Sequence, residues 1–204
     1  MKKDPYNIII TGVGGQGNVL AARILGNTLV AQGFNVTIGE TFGASQRGGS
    51  VMSHLRVSQK SAWSPQIPKG KAHLVIALEP IESIRVMAQY GSKDTAVISN
   101  SRPIYPVSVI CGDSAYPSVE ELRESLSQIA SDVRFINATD EAVRLGHSIL
   151  SNVIMVGAAA ALDDIQINEE AFRAVMSSSL SKDKVEINME AFRAGKKMCA
   201  AMCK

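Results

Sequence analysis

The chain has 204 residues and a net charge of +2; 46% of its residues are hydrophobic and 20% are charged. This length and composition predict one globular domain with a sizeable core, and they exclude a disordered or repetitive protein. The mild charge and the 5% of aromatic residues exclude a nucleic-acid-binding surface.

The first residues lead directly into an apolar run that is too short for a signal-peptide core or a membrane span. The cysteines, Cys111, Cys199 and Cys203, are odd in number, which fits a reducing compartment better than a disulfide framework. We therefore expect a cytoplasmic protein without a membrane partner.

The first predicted unit is a strand, a glycine turn and a helix. The β-branched run Ile8–Ile10 leads into the turn Gly12–Gly17, and apolar residues at helical spacing follow over Asn18–Val30. Leu20, Ile24 and Leu25 are predicted on the buried face of this helix, and Ala21 and Ala22 are predicted to allow close packing against the sheet. Gly12, Gly14 and Gly17 have the G-x-G-x-x-G spacing, which lets the backbone approach a phosphate at the amino end of the helix.

A dinucleotide-binding unit also needs an acidic residue at the end of its second strand. The run Val36–Ile38 predicts that strand, and Glu40 follows it at about the expected spacing. Two interpretations stay open from the spacing alone. The glycines either face a phosphate-bearing ligand or only form a sharp turn between strand and helix.

A second glycine-rich segment runs from Phe42 to Gly49 and contains Arg47. Flexible backbone beside a planar, permanently charged guanidinium suits a carboxylate, a phosphate or the acidic groups of a partner. An ordinary dinucleotide-binding domain has no need of such a loop at this position. The strand-like run Ser50–Val57 comes next.

The remainder of the chain alternates predicted strands with predicted helices. The further predicted strands are Leu74–Leu78, Thr95–Ser99, Val107–Ile110 and Asp132–Ile136. The predicted helices are Ile81–Tyr90, a helix from a Ser118 capping box to about Ala130, Asp140–Leu145, Asn152–Leu162, Asn168–Leu180, and Lys184 to about Cys203, in which Val185–Ile187 can begin as extended chain. This order predicts a single-domain α/β fold: a mostly parallel open sheet with helices on both faces, a Rossmann-like first βαβ unit and a helical C-terminal third.

Five residues stand out singly. Glu79 follows a predicted strand, so it either reaches a ligand crevice or caps the next helix. His54 is either a core histidine or a site residue, and Trp63 lies in either a plain surface loop or a partner-facing one. Asn152 is predicted to cap the helix that it opens, and Gly157, among four alanines, is predicted to allow close packing.

A family resemblance rests on two segments, G-V-G-G-Q-G-N-V-L-A-A-R-I-L-G and E-T-F-G-A-S-Q-R-G-G-S-V-M-S-H-L-R. Both closely resemble the gamma-type subunit of 2-oxoacid:ferredoxin oxidoreductases, and within that family the beta (small) subunit of the indolepyruvate type. The resemblance extends through Ala77–Glu82 and Asn152–Gly157 to Asn188–Gly195. It therefore covers nearly the whole chain.

The resemblance implies one subunit of a hetero-oligomeric enzyme, which oxidatively decarboxylates aryl 2-oxoacids to acyl-coenzyme A and passes the electrons to ferredoxin. Thiamine diphosphate and iron–sulfur clusters are expected on a larger partner subunit, which would also contact ferredoxin. The reason is that this chain lacks four-cysteine cluster spacing and a thiamine diphosphate signature. No catalytic or metal-binding residue is expected here, and the chain alone is expected to be inactive.

Coenzyme A is the ligand that the resemblance implies for the two glycine loops. The candidate cofactor-binding residues are Gly12, Gly14, Gly15, Gln16, Gly17, Asn18, Glu40, Ser45, Gln46, Arg47 and Gly48. Two rival interpretations stay open. One is a free-standing NAD- or flavin-binding Rossmann-like protein, and the other is a scaffold in the same complex whose glycine turn binds nothing.

Overall fold

The computed structural model describes residues 3–42 and 49–202, and the side chain of residue 42 lies outside that description. The strands are β1 (Tyr6–Val13), β2 (Asn35–Phe42), β3 (Ser50–Ser58), β4 (Leu74–Ala77), β5 (Ala96–Asn100) and β6 (Asp132–Ile136). The helices are α1 (Asn18–Ala31), α2 (Pro80–Tyr90), α3 (Val107–Ile110), α4 (Val119–Ile129), α5 (Ala138–Arg144), α6 (Ser151–Ala159), α7 (Glu169–Ser177) and α8 (Lys182–Ala200).

The six strands form one sheet in the order β2-β3-β1-β4-β5-β6. Strands β1, β4, β5 and β6 run parallel to one another, and β3 is antiparallel to both of its neighbours, β1 and β2. The predicted α/β fold with a mostly parallel sheet is therefore confirmed. The first βαβ unit is present, but β3 separates its two strands, whereas they are neighbours in a dinucleotide-binding domain.

Both faces of the sheet are covered, because the side chains of β1 alternate between two cores. Ile8 and Ile10 belong to the core formed with α1, α5, α6, α7 and α8. Ile9 belongs to the core formed with α2 and α4. All three isoleucines are fully buried, which is the pattern of a central strand with a helical layer on each side.

The helical C-terminal third is held by a close contact between α6 and α8. A Cβ atom on Gly157 would overlap the backbone oxygen of Phe192, and one on Gly195 would overlap the backbone oxygen of Ile154. The predicted packing role of Gly157 is thus confirmed, since only glycine permits this approach of the two backbones.

Several local predictions agree with the structure. The predicted capping box is formed, since the Ser118 Oγ accepts from the Glu121 backbone N–H at 3.2 Å and the Glu121 carboxylate accepts from the Ser118 N–H at 2.7 Å. Ile24 and Leu25 face the core as predicted. Among the described residues, no helix combines the length and the apolarity that crossing a membrane requires.

Three local predictions are wrong. The run Val107–Ile110 is the short helix α3, begun by Pro106, and not a strand. Leu20 is 45% exposed, because it lies on the exposed face of α1 together with Arg23, Asn27 and Val30. Asn152 lies inside the first turn of α6, whose N-cap is Leu150. The helix predicted from Lys184 is confirmed as α8, and of the two alternatives left open for Val185–Ile187 the helical one holds.

Candidate functional site

The glycine turn joins the carboxyl end of β1 to α1 and is shaped from within by Gln16. The Gln16 Oε1 accepts from the Val13 backbone N–H at 2.7 Å, and its Nε2 donates to the Leu78 carbonyl at 2.9 Å. A Cβ atom on Gly12 would lie 2.5 Å from that Oε1. Gln16 therefore stabilises the turn, and Gly12 leaves the space that this requires.

The amino end of α1 is open. Its N-cap is Gly17, with a φ of 84°, and no side chain among the described residues caps this end. Gly15 is exposed, has a φ of 103°, and has no described atom within 4 Å of the position that a Cβ would take. The first N–H groups and the positive dipole end of the helix are thus free to meet an anion.

A cavity of about 450 Å³ lies beside this turn. The described residues that line it are Gly15, Gln16, Gly17, Arg102, Pro103, Ile104, Thr139, Ser148, Ile149 and Ser151. Arg102 is the only charged residue among them, and its side chain is 63% exposed and 3.7 Å from Asp140. Ser148 and Ser151, on the 3-10 turn that leads into α6 and at the start of α6, line the same cavity as the amino end of α1. The Ser151 N–H is bonded to the Ser148 carbonyl, so this segment adds hydroxyl groups, and the free N–H groups of α1 make the cavity favourable for an anion.

Sequence reasoning missed Arg102, Thr139, Ser148 and Ser151. Two of these positions carried a usable signal, because Arg102 closely follows β5 and Thr139 closely follows β6, and open α/β sheets bind ligands beyond the carboxyl ends of their strands. The two serines carried none, because their place depends on how the C-terminal helices pack.

Asn100, buried at the end of β5, forms hydrogen bonds with the segments that follow β4 and β6 at this edge of the sheet. Its Nδ2 donates to the Leu78 carbonyl at 3.2 Å and to the Thr139 hydroxyl at 2.9 Å. Its Oδ1 accepts from the Ala138 N–H at 3.1 Å. Since Gln16 donates to the same Leu78 carbonyl, the glycine turn and the start of α5 share one hydrogen-bonded anchor.

Two buried amides lie beneath the turn. Asn18 is 4% exposed and Asn152 is 1% exposed. The Asn18 Oδ1 and both polar atoms of the Asn152 amide have no hydrogen-bond partner among the described residues. A Cβ atom on Gly17 would lie 2.6 Å from the Asn152 Nδ2, so the missing side chain at Gly17 leaves room for this amide.

The second glycine loop ends beside the first, whereas it starts at the end of β2, one strand away. Ser45, Gln46, Arg47 and Gly48 lie outside the described residues, and their predicted role stays a prediction. The base of the loop is described: the Gly14 N–H donates to the Gly49 carbonyl at 2.9 Å, and the Ser50 Oγ donates to the Glu82 carboxylate at 2.5 Å.

Glu40 is separated from the glycine turn by a strand. It lies on β2 opposite Ser53 of β3, and β3 stands between it and β1. Glu40 is not among the described residues that line the cavity. The pairing of an acid with the glycine turn that a dinucleotide site uses is not formed by neighbouring strands here.

Glu79 anchors neighbouring backbone. Its Oε2 accepts from the Glu82 N–H at 3.1 Å and caps α2, and its Oε1 accepts from the Ile104 N–H at 3.3 Å and from the Tyr116 hydroxyl. Burial, with the hydrogen bond to Glu79, raises the pKa of Tyr116 well above its usual range. Glu79 is fully buried, so it positions the segment that carries Arg102 to the cavity.

The remaining candidates are structural in the described part of the chain. His54 is 1% exposed, its Nδ1 accepts from the Ile67 N–H at 3.3 Å, and its ring meets that of Tyr90 edge-on at 5.0 Å. Burial lowers the pKa of His54.

The cysteines of the described residues lie in different settings: Cys111 is exposed and Cys199 is buried. Residues 3–42 and 49–202 contain no group of three or more His, Cys, Asp or Glu side chains that could hold a metal ion.

Comparison with known proteins agrees with this architecture. The family model of pyruvate ferredoxin/flavodoxin oxidoreductase matches residues 7–198. The indolepyruvate oxidoreductase subunit IorB of Archaeoglobus fulgidus is 38% identical over 178 residues, which are 85% of this chain and 87% of that protein. IorB of Thermococcus kodakarensis is 34% identical over 176 residues, 86% of each chain.

Solved structures share the fold at lower identity. Pyruvate oxidoreductase subunit PORC from Thermotoga maritima has a TM-score of 0.73 at 18% identity, covering 96% of this chain and 97% of that one. The 2-oxoglutarate:ferredoxin oxidoreductase from Magnetococcus marinus has a TM-score of 0.75 at 20% identity, over all of this chain and 32% of that one. The resemblance read from the glycine segments is thus confirmed: the chain belongs to the pyruvate ferredoxin/flavodoxin oxidoreductase family, as a relative of the IorB subunits.

Proposed function

We propose that this chain is the small subunit of an indolepyruvate-type 2-oxoacid:ferredoxin oxidoreductase and supplies phosphate contacts for coenzyme A. In the overall reaction an aryl 2-oxoacid, coenzyme A and two oxidised ferredoxins give an acyl-coenzyme A, carbon dioxide, two reduced ferredoxins and a proton. The IorB names of the relatives support the substrate class. A larger partner subunit would carry thiamine diphosphate and iron–sulfur clusters and would contact ferredoxin.

The observation that carries the phosphate role is the open amino end of α1 beside a cavity of about 450 Å³. The backbone N–H groups of the first turn suit phosphate oxygens, because they are unpaired donors at the positive end of a helix. Gly15 fits such a ligand, since its exposed backbone leaves a phosphate room to approach.

Arg102 would add the formal charge. Its guanidinium is largely in solvent and near one exposed carboxylate, so it can turn towards a phosphate at low cost. The hydroxyls of Thr139, Ser148 and Ser151 line the same cavity and can donate to phosphate oxygens. Together these residues would bind and orient the phosphate end of the coenzyme.

The rim of the cavity supports assembly with a partner. Ile104 is 40% exposed and Ile149 is 65% exposed, and both line the cavity. On the neighbouring α3, Val107 and Ile110 are 74% and 72% exposed. Apolar side chains of this size gathered at the mouth of a site are typical of a surface that another chain covers.

The carbon–carbon cleavage and the electron transfer would depend on thiamine diphosphate and iron–sulfur clusters of the partner. The residues of this chain would hold the coenzyme by its phosphates and, with the partner in place, exclude water from the mouth of the cavity. The isolated chain should therefore show no turnover.

The assembly proposal is tested by purification from the native organism through a tag on this chain, with cofactor analysis and dye reduction by indolepyruvate. A co-purifying large subunit with thiamine diphosphate, iron and activity is expected. Recovery of the chain alone with bound NAD or flavin would overturn the proposal.

The phosphate role is tested in the assembled enzyme with Arg102→Ala and Arg47→Ala. Each should raise the KM for coenzyme A several-fold and leave the KM for the 2-oxoacid unchanged, because one charge-assisted contact is lost while oxoacid binding is untouched. Arg193→Ala is the matched control, since Arg193 is an exposed arginine on α8 that pairs with Glu169 away from the cavity. Unchanged KM values in both test variants would contradict the role.

A further inference from the structure

Arg56 is a buried cation at the end of the sheet remote from the glycine turn. It lies on β3 opposite Asn7 of β1 and is 8% exposed. The comparable arginine is Arg134, whose side chain is 11% exposed and forms an ion pair with Asp132 at 2.7 Å. Arg56 forms no ion pair within residues 3–42 and 49–202. Buried charges in proteins are normally paired, so this one departs from the rule.

The contacts of Arg56 are all to neutral groups. Its Nε donates to the Asn7 Oδ1 at 3.1 Å, and its Nη1 donates to the Ser64 carbonyl at 3.2 Å. Its guanidinium carbon lies 4.9 Å from the centre of the Trp63 ring. These contacts orient the guanidinium plane, but they do not neutralise its charge.

Further positive charge surrounds Arg56. It lines a cavity of about 320 Å³ together with Lys3, Lys71, His73 and the single carboxylate Asp4. Neither lysine forms an ion pair in the described part of the chain. Three cations against one lining carboxylate leave the cavity positive, even though Asp94 and Asp164 also act on His73. An entering anion would meet this positive charge and relieve the repulsion among the cations.

We propose that this cavity is a second anion site, which takes a small oxyanion, a carboxylate or a phosphate. The planar guanidinium of Arg56, fixed by Asn7 and Ser64, can bind such a group with two parallel hydrogen bonds, and Lys71 adds charge from the rim. The volume is near the lower end of small-ligand pockets, which run from about 300 to 1,000 Å³.

This site is separate from the glycine turn. The glycine turn follows Val13, the last residue of β1, whereas Asn7 is the second residue of that strand. The six residues of strand from Asn7 to Val13 span about 20 Å. The proposal does not depend on the coenzyme A role. The oxyanion has two potential sources: a free small anion, or an acidic side chain of another protein chain.

Trp63 gives a readout specific to this site, because it is the only tryptophan of the chain and its ring lies against Arg56. The full-length chain is titrated with inorganic phosphate at constant ionic strength, and the fluorescence of Trp63 is recorded. A saturable change is expected. A phosphate bound only at the glycine turn would leave Trp63 silent, so the outcome is independent of the proposed function.

Two variants test the residues. Lys71→Met, at an exposed position, should weaken phosphate binding several-fold without affecting folding, and Arg56→Lys should weaken it further because the planar fork is lost. Lys196→Met, at an exposed position on α8 outside the cavity, is the matched control and should bind phosphate like the wild type. A response that does not saturate, or equal binding by Lys71→Met and wild type, would overturn the proposal.

Hydrogen exchange distinguishes the two sources. If free anions are the ligand, phosphate should slow exchange over residues 56–64 both in the isolated chain and in the assembled enzyme. If an acidic side chain of a partner occupies the cavity, phosphate should slow exchange in the isolated chain only. If phosphate slows exchange in neither sample, the proposed site is contradicted.

Discussion

The two ends of β1 carry the two proposed anion sites, which are built in different ways. At the carboxyl end, the glycine turn and the open amino end of α1 offer backbone N–H groups, and the formal charge comes from Arg102, which is largely in solvent. At the amino end, the charge is the buried guanidinium of Arg56, held by neutral partners. The first arrangement depends on backbone shape, and the second depends on charge.

This difference has consequences for mutation and for salt. A backbone site is weakened by any side chain that alters the turn, whereas a change of one exposed charge affects it modestly. A site around a buried cation is weakened most by removing that cation, and salt screens it less than it screens an exposed pair. The predictions below probe the two ends separately.

The largest effect is expected for Gly17→Ala at the carboxyl end. An alanine there would hold a φ of 84°, and its Cβ would lie 2.6 Å from the Asn152 amide. Left-handed strain and overpacking together should lower the free energy of unfolding by about 3 kcal/mol. Urea denaturation measures this loss.

Gly15→Ala is the matched control for that prediction. Gly15 has a similar φ of 103°, but no described atom lies within 4 Å of its Cβ position. The Gly15→Ala variant should have only the left-handed backbone strain, which lowers its free energy of unfolding by about 1 kcal/mol. Equal losses in the two variants would mean that contact with Asn152 does not explain why position 17 is a glycine.

The next largest effect is expected for Arg56→Met at the amino end. The Asn7 Oδ1 and the Ser64 carbonyl would each lose a donor, at a cost of about 1–2 kcal/mol in phosphate-free buffer. The difference in stability between wild type and variant should increase in phosphate, because only the wild type would be stabilised by the bound anion.

Thermal unfolding with and without phosphate checks this prediction. The Lys196→Met control should show the same phosphate effect as the wild type, since Lys196 does not line the cavity. If the difference in unfolding temperature between wild type and Arg56→Met is the same with and without phosphate, Arg56 contributes to packing and does not bind the anion.

Local patterns were sufficient to predict most of the fold. The β-branched run at Ile8–Ile10 is a local pattern typical of a buried strand, and the Ser118 capping box joins neighbours in sequence, so both are visible in the sequence. The carboxylate cap at Glu79 is also local, and it is one of the two interpretations that the sequence left open for this residue. The run Val107–Ile110 misled because its β-branched residues favour a strand, whereas Pro106 begins a helix and the run is too exposed for packing to decide otherwise.

The order of strands could not be predicted in this way. The pairing of β3 with β1 joins residues about forty positions apart, and nothing in the local pattern of Ser50–Ser58 shows that it separates β1 from β2. For the same reason Glu40 looked like part of the first site. Arg56 was missed because its setting depends on Asn7, which is distant in sequence. Arg102 was missed although its place after β5 carried a signal.

A smaller effect is expected for Gln16→Ala, which tests how far the carboxyl end depends on its internal hydrogen bonds. The Val13 N–H would lose its acceptor, but the Leu78 carbonyl would keep the Asn100 amide. The loss in free energy of unfolding should be about 1 kcal/mol, measured by urea denaturation. Gln89→Ala, at an exposed position of α2, is the control and should be close to neutral; a neutral Gln16→Ala would contradict the role of Gln16.

The smallest effect near neutral pH is expected from His73, which lines the cavity of Arg56. Burial, and then the charge of Lys3, lowers the pKa of His73 to about 4, and its Nδ1 accepts from the Asn7 N–H at 2.9 Å. Since the unfolded chain binds the proton near pH 6.5, stability should fall as the pH drops from about 6.5 towards 4.

The midpoint of urea denaturation, measured as a function of pH, checks this prediction. His73→Gln should reduce the slope of the midpoint against pH. A part of the slope, with the same sign, should remain because burial also lowers the pKa of His54. Phosphate should flatten the slope of the wild type, because an anion in the cavity would stabilise the charged imidazole; a slope unaffected by phosphate would count against an anion beside His73.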